Sequence, residues 1–99
     1  MNIQAMMKQA QAIQKEMMKA KDEIDKTIYT GSSNFVTVEL YGTKKVNKIS
    51  LDKSQITDLD DLDMLEDLLV VAMNEAITKI DQDTEKKLGK YTQGMPGLF

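Results

Sequence analysis

The chain of 99 residues contains no cysteine, no histidine, no arginine and no tryptophan. The missing cysteine excludes disulfides and thiolate metal sites. The missing histidine removes the commonest general base and the commonest zinc ligand, so any metal site would be carboxylate-only. Without arginine, the bidentate contact to guanine is absent and every basic side chain is a lysine point charge. No apolar run approaches the ~18 residues of a membrane-crossing helix. A basic segment followed by an apolar one is also missing from the N-terminus, so no secretory signal is read. A cytoplasmic location, in a bacterium, is the expectation.

What is present is one small domain's worth of chain, read as a single unit over 1–99. A domain of this size is marginal alone, which makes oligomerisation a sensible prior. Its 13 lysines against 16 acids leave a net charge of -3, and nucleic-acid binders are usually basic. The total hides segregation. Lys8, Lys15, Lys19 and Lys21 against Glu16 make residues 1–21 basic by 3. Lys44, Lys45, Lys48 and Lys53 against Asp52 do the same for 44–53. Residues 54–78 carry seven acids (Asp58, Asp60, Asp61, Asp63, Glu66, Asp67 and Glu75) and no lysine. Local fields of this kind attract anions even when the total is negative.

Ile3, Met6, Ala10, Ile13, Met17, Ala20 and Ile24 are spaced alternately by 3 and 4 residues. That is a strict a/d heptad repeat without Pro or Gly, and it predicts a helix over about 2–26. Its narrow stripe suits a helix–helix seam. Strands are expected near 27–31, over 34–41 and over 45–52, with Gly31, Ser32, Ser33 and Asn34 as turn chemistry. In the second strand, Val36, Val38 and Leu40 share one face; Phe35, Thr37, Glu39 and Tyr41 share the other. In the third, Ile49 and Leu51 share a face that Val46 does not, which calls for a β-bulge or a two-sided strand. A second helix follows to about 88–91, with Asp58, Asp60 and Asp61 as possible caps. The tail over about 92–99, which holds the only proline, cannot continue it. The order α-β-β-β-α makes an α+β fold: a three-stranded antiparallel sheet with two long helices. So small a sheet has two open edges, and pairing across a two-fold axis is one solution.

No motif points to catalysis. The acidic run 58–67 fails the EF-hand pattern, because Leu62 and Asp63 stand where an acid and the glycine are needed. Helix capping explains it better. GSSN (31–34) lacks the glycine spacing and following helix of a phosphate loop. The lysines of the first helix are more informative. Lys8 and Lys15 fall at f and Lys19 at c, on the face opposite the apolar seam. They form either an ordinary solvated face or a row of ammonium groups for phosphate. A membrane-surface role fits less well, because interfacial helices favour a broad face with Trp, Phe and Leu.

Together MKQAQAIQKEM (7–17), GSSNFVTVELYG (31–42), ISLD (49–52), LEDLLVVAMNEA (65–76) and GMPGLF (94–99) resemble the YbaB/EbfC family of bacterial nucleoid-associated proteins. The resemblance spans nearly the whole chain. It implies the same α-β-β-β-α order and a tweezer-like homodimer whose helices project from a shared central sheet. It also implies loose binding of double-stranded DNA, nucleoid association, no cofactor and no catalytic activity. Family members often carry Gly where this chain has Asn34, which tolerates positive φ.

The expected function is therefore that of a homodimer binding duplex DNA through lysine–phosphate contacts, with no small-molecule substrate and no membrane partner. Candidate DNA contacts are Lys8, Lys15 and Lys19 in the first helix and Lys44, Lys45 and Lys48 around the third strand. Lys86, Lys87 and Lys90 are weaker candidates. Val38, Leu40, Ile49 and Leu51 are candidates for the sheet core and dimer contact. The alternative is a structural or adaptor homodimer that recruits a protein through the acidic face of its second helix.

Overall fold

The structure, a computed structural model, describes residues 2–92; the expected tail beyond Thr92, GMPGLF included, lies outside the described residues. In chain order come α1 (Ile3–Lys26), β1 (Ile28–Ser33), β2 (Val36–Tyr41), β3 (Val46–Leu51), a 3-10 turn (Lys53–Gln55) and α2 (Leu59–Thr92). The strands form one antiparallel sheet in the order β1-β2-β3. The α-β-β-β-α order is thus that read from the sequence.

Both helices begin on side-chain caps. The Asn2 side chain accepts from the Ala5 N–H at 3.2 Å, satisfying one of the free donors of the first turn of α1. Of the three aspartates considered for α2, Asp58 takes the cap, accepting from the Asp61 N–H at 3.1 Å. Asp61 answers by accepting from the Asp58 N–H at 3.2 Å and the Thr57 N–H at 2.9 Å. This reciprocal pair is a capping box with aspartate in both roles.

The β1–β2 hairpin corrects the expected turn. Ser33 pairs with Val36, so the turn is Asn34-Phe35 alone, with Asn34 at φ 51°. Gly31, Ser32 and Ser33 are strand residues. Gly31 answers to a close approach, not a turn. A Cβ there would lie 1.9 Å from the Ala72 carbonyl oxygen and 2.7 Å from the Ala76 nitrogen. The backbone of α2 rests directly on β1 at this point, which only glycine allows. Phe35 leaves the outer face expected for it and is buried in the core at the turn.

The β2–β3 hairpin closes over Gly42-Thr43-Lys44. Lys44 donates its N–H to the Tyr41 carbonyl at 2.8 Å, and Tyr41 donates to the Lys45 carbonyl at 2.9 Å. Lys44 sits at φ 72°, the left-handed position of a three-residue hairpin loop. A β-bulge then resolves the mismatch of β3. Glu39 pairs with Lys48 but Leu40 pairs with Val46, leaving Asn47 extra. The bulge turns Val46 onto the face of Ile49 and Leu51, because directly opposed residues share a face.

That face is the core side. Val36, Val38 and Leu40 are fully buried there beneath Ala72, Ala76 and Ile80 of α2, with Ile24, Tyr29, Phe35 and Leu88 in the same cluster. The apolar side chains at 72, 76 and 80 follow the i, i+4 stripe of a helix that buries one face. α2 covers β1 and β2 and leaves most of β3 bare. Leu51 is partly buried against the core, while Val46 and Ile49 each remain 46% exposed. The other sheet face carries Thr30, Ser32, Thr37, Glu39, Lys48 and Ser50, as the alternation dictates.

The seam of α1 is only partly used. Met17, Ala20 and Ile24 pack against the core, whereas every residue from 3 to 16 is exposed. The molecule measures 72 × 21 × 15 Å. Its radius of gyration is 19.4 Å, against about 13 Å for a compact 100-residue domain. At ~1.5 Å per residue, α2 accounts for about 51 Å and residues 3–16 of α1 for about 21 Å more. The first half of α1 is therefore an arm projecting from the body.

Candidate nucleic-acid interface

The arm carries two of the candidate lysines, Lys8 and Lys15, and Lys19 continues their row into the packed turns. At about 100° per residue, Lys8, Lys15 and Lys19 fall within about 40° of one another and span ~16 Å along α1. They lie opposite the Ile3/Met6/Ala10/Ile13 stripe. None of the three makes an ion pair among the described residues. The next two basic residues do: Lys21 with Asp25 at 3.0 Å and Lys26 with Asp22 at 2.9 Å. The Asp22 carboxylate raises the pKa of Lys26, first through its hydrogen bond and then through its charge. The charge of α1 is thus spent internally at its C-terminal end and left open on the arm.

The candidates around β3 separate. Lys44 is held by Asp81 of α2, Nζ to Oδ1 at 3.1 Å. It borders a groove that also takes in Lys21, Ile24, Asp25, Asp81 and Leu88. Each of the two lysines there is already balanced by an aspartate, so this groove is not a basic one. Lys45 and Lys48 have no ion pair among the described residues. Lys48 stands on the outer sheet face, directly across from Glu39. Of the other candidates, Val38 and Leu40 lie deep beneath α2, and Ile49 and Leu51 lie on the same face toward the open edge.

The sheet's outer face shows a feature missed in the sequence. Thr30, Ser32, Thr37 and Ser50 bring four hydroxyls around Glu39 and Lys48. Hydroxyls of this kind are ordinary phosphate-contacting groups. The alternation of Thr and Ser carries the signal, but the turn chemistry of Ser32 masks it.

α2 is divided. Its first half carries acids and no lysine, and exposes Leu62, Met64, Val70 and Val71. Its second half carries Lys86, Lys87 and Lys90. Lys87 is paired with Asp83 at 2.8 Å, and Lys90 lies 4.9 Å from the centre of the Tyr91 ring. Asp83 also accepts from the Tyr29 hydroxyl at 2.5 Å. Burial, then the Asp83 carboxylate, pushes the Tyr29 hydroxyl up to about 12. Lys87 and Tyr29 in turn hold the Asp83 carboxyl below its ordinary range. This network locks β1 to α2. Among the described residues, no group of three or more acids is placed to hold a metal ion.

An elongated α-β-β-β-α protein with a lysine-faced helical arm and an open sheet edge is the class these features define. The chain belongs to the YbaB/EbfC DNA-binding family, whose model matches residues 1–95. It is 44% identical to a nucleoid-associated protein of Ligilactobacillus salivarius, over 99% of this chain and 95% of that one. It is 42% identical to a nucleoid-associated protein of Enterococcus faecalis, over 98% and 94%. An uncharacterized Helicobacter pylori protein has a similar fold in its crystal structure, with a TM-score of 0.70 at 21% identity, covering 95% of this chain and 99% of that one.

Proposed function

We propose that this protein binds double-stranded DNA in the bacterial nucleoid as a homodimer, through lysine–phosphate contacts with little sequence discrimination. The observation that carries the reading is the row Lys8, Lys15 and Lys19, running along the projecting arm and just past its base, with no ion pair to a carboxylate among the described residues. Over ~16 Å of axis, a duplex presents roughly ten phosphate charges. Lys45 and Lys48 add to the field, and Lys44 joins once Asp81 releases it. Lysine point charges position a protein on the backbone but do not read bases, which accounts for loose selectivity. Family membership and the names of the relatives support the same reading.

What the single chain leaves bare supports the dimer reading. β3 is an edge strand, and Val46 and Ile49 extend the core face beyond the cover of α2. Pairing two β3 edges about a two-fold axis makes a six-stranded sheet. It also closes the open β3 edge of each copy. A second reading, recruitment of a protein through the acidic first half of α2, is favoured by the apolar residues exposed among those acids.

A gel-shift salt series separates the two. With about six phosphates neutralised per dimer, log K falls against log salt with a slope near -5. No binding at ~50 mM salt removes the DNA reading. Reversing the charge of Lys8, Lys15 and Lys19 weakens binding to all sequences alike and flattens the slope. Ile49→Glu converts the dimer to a single-chain mass in sedimentation, and an unchanged mass places the contact elsewhere.

A further inference from the structure

Among the described residues, nothing covers the apolar side of the arm. Ile3 is 69%, Met6 54% and Ile13 45% exposed. These residues continue the same a/d repeat that, from Met17 onward, packs against the core and α2. The seam therefore runs off the end of its own partner helix. Whatever covers it must continue that packing, and a narrow 3-4 repeat accepts another helix with the same repeat.

We infer that the first half of α1 pairs antiparallel with the first half of α1 from a second copy of this chain, at a contact distinct from the β3 edge. Three observations point to this occupant. First, the register is self-complementary. Laying the two arms antiparallel sets Ile3 against Ile13 of the second copy and Met6 against Ala10, so large residues meet at the ends and a large meets a small within. Second, the flanking positions carry no like charge to oppose the pairing. Over residues 3–16 the e and g positions are Met7, Gln9, Gln14 and Glu16, with no lysine among them. Repulsion across a seam arises mainly from those positions. Third, the contact continues an interface that exists. Along each α1, the core and α2 cover Met17, Ala20 and Ile24, and the second copy's arm covers the same stripe over 3–13, as though prolonging α2.

The lysine row stays outside this pairing, on the opposite face of both arms. Two paired arms thus present Lys8 and Lys15, with Lys19 continuing each row, in two sets facing away from one another. If the DNA reading above holds, the pairing links dimers along one duplex or across two. The contact itself does not depend on that reading. The patch is small, so pairing is weak in free solution and strengthens where DNA holds many copies together.

Sedimentation of the full chain over micromolar to near-millimolar concentrations tests this. The wild-type mass rises past the dimer, and Ile13→Glu holds it at half that mass or less with unchanged far-UV circular dichroism. Because the chain has no cysteine, a mixture of Met6→Cys and Ala10→Cys proteins gives a disulfide-linked pair on oxidation. A mixture of Lys8→Cys and Lys15→Cys, on the opposite face, does not. Should Ile13→Glu lose its helix signal, the cysteine mixtures decide alone. Equal masses for wild type and Ile13→Glu at every concentration overturn the inference, as does equal cross-linking by both mixtures. If neither protein shifts DNA at low salt while the mass difference persists, the DNA reading falls and the arm pairing stands.

Discussion

Replacing Gly31 with alanine tests how closely α2 is seated. The new Cβ would lie 1.9 Å from one α2 backbone atom and 2.7 Å from another, and neither belongs to a side chain that could swing away. Restoring ordinary contact requires α2 to retreat by about 1.5 Å, whereas a gap of ~0.5–1 Å already forfeits a quarter to a half of each dispersion contact. The residues that lose contact are Val36, Val38, Leu40, Ala72 and Ala76, all at 1% exposure or less. Overpacking typically costs ~1–3 kcal/mol, and the need to move a whole helix places this site at about 3. Alanine's smaller unfolded-state entropy offsets only ~0.4–1 kcal/mol. The net loss of more than about 2 kcal/mol lowers a urea midpoint by roughly 1 M at a slope near 2 kcal/mol per M. Unfolding is followed by circular dichroism at one fixed protein concentration, since any association would contribute to the midpoint. Ser32→Ala, on the exposed sheet face, is the control and stays within ~0.5 kcal/mol. A Gly31→Ala midpoint matching that control refutes the close seating of α2 on β1.

Three further outcomes are expected. Lys44→Gly raises stability by ~0.5 kcal/mol, because relief of the left-handed backbone at φ 72° outweighs an exposed ion pair with Asp81 and the entropy of glycine; a clear loss in urea melts would make the pair dominant. Asp58→Ala removes the cap of α2 and lowers stability by about 1 kcal/mol, read from the same melts. The pH dependence has two limbs. Asp52, Asp61 and Asp83 have lowered pKa values through hydrogen bonds to Ser54, Thr57 and Lys87 respectively. Their stabilisation is present above the unfolded value near 4 and is lost as pH falls through the folded ones. Tyr29, raised to about 12, contributes fully below its unfolded value near 10 and loses that contribution as pH climbs through 12. Tyr29→Phe removes the alkaline limb attributable to this group, and an identical alkaline melt for wild type and variant sinks the assignment.

The heptad of α1 was legible because helical periodicity is written over many residues. The sequence also flagged the anomaly at Val46, and the bulge at Asn47 resolved it. It misplaced Gly31-Ser32-Ser33, whose small polar residues have turn chemistry and weak strand propensity. The hint lay far away, in Ala72 and Ala76: small residues four apart on a helix mark where another backbone can come close. Two facts about the candidate interface had no local signature. One is that Lys44 spends its charge on Asp81, 37 positions later in the chain. The other is that the seam of α1 finds a partner only from Met17 onward. A stripe of apolar residues announces that it will be covered, but not by which chain.

The unsupported arm has a thermodynamic consequence. Its 14 residues (3–16) are all exposed, with none packed against the core among the described residues, and an isolated helix of that length is marginal in water. The packed turns from Met17 to Ile24 supply the nucleus, so the arm extends from them by propagation alone and unwinds from its tip. Backbone amide exchange is therefore expected to accelerate steadily from Met17 toward Ile3, with no sharp boundary between protected and open. Any ligand that prefers the wound arm draws on the same helix–coil equilibrium, whichever side it touches. Phosphate on the lysine row and a helix in the apolar seam then favour one another without meeting, and linkage makes that preference equal in both directions.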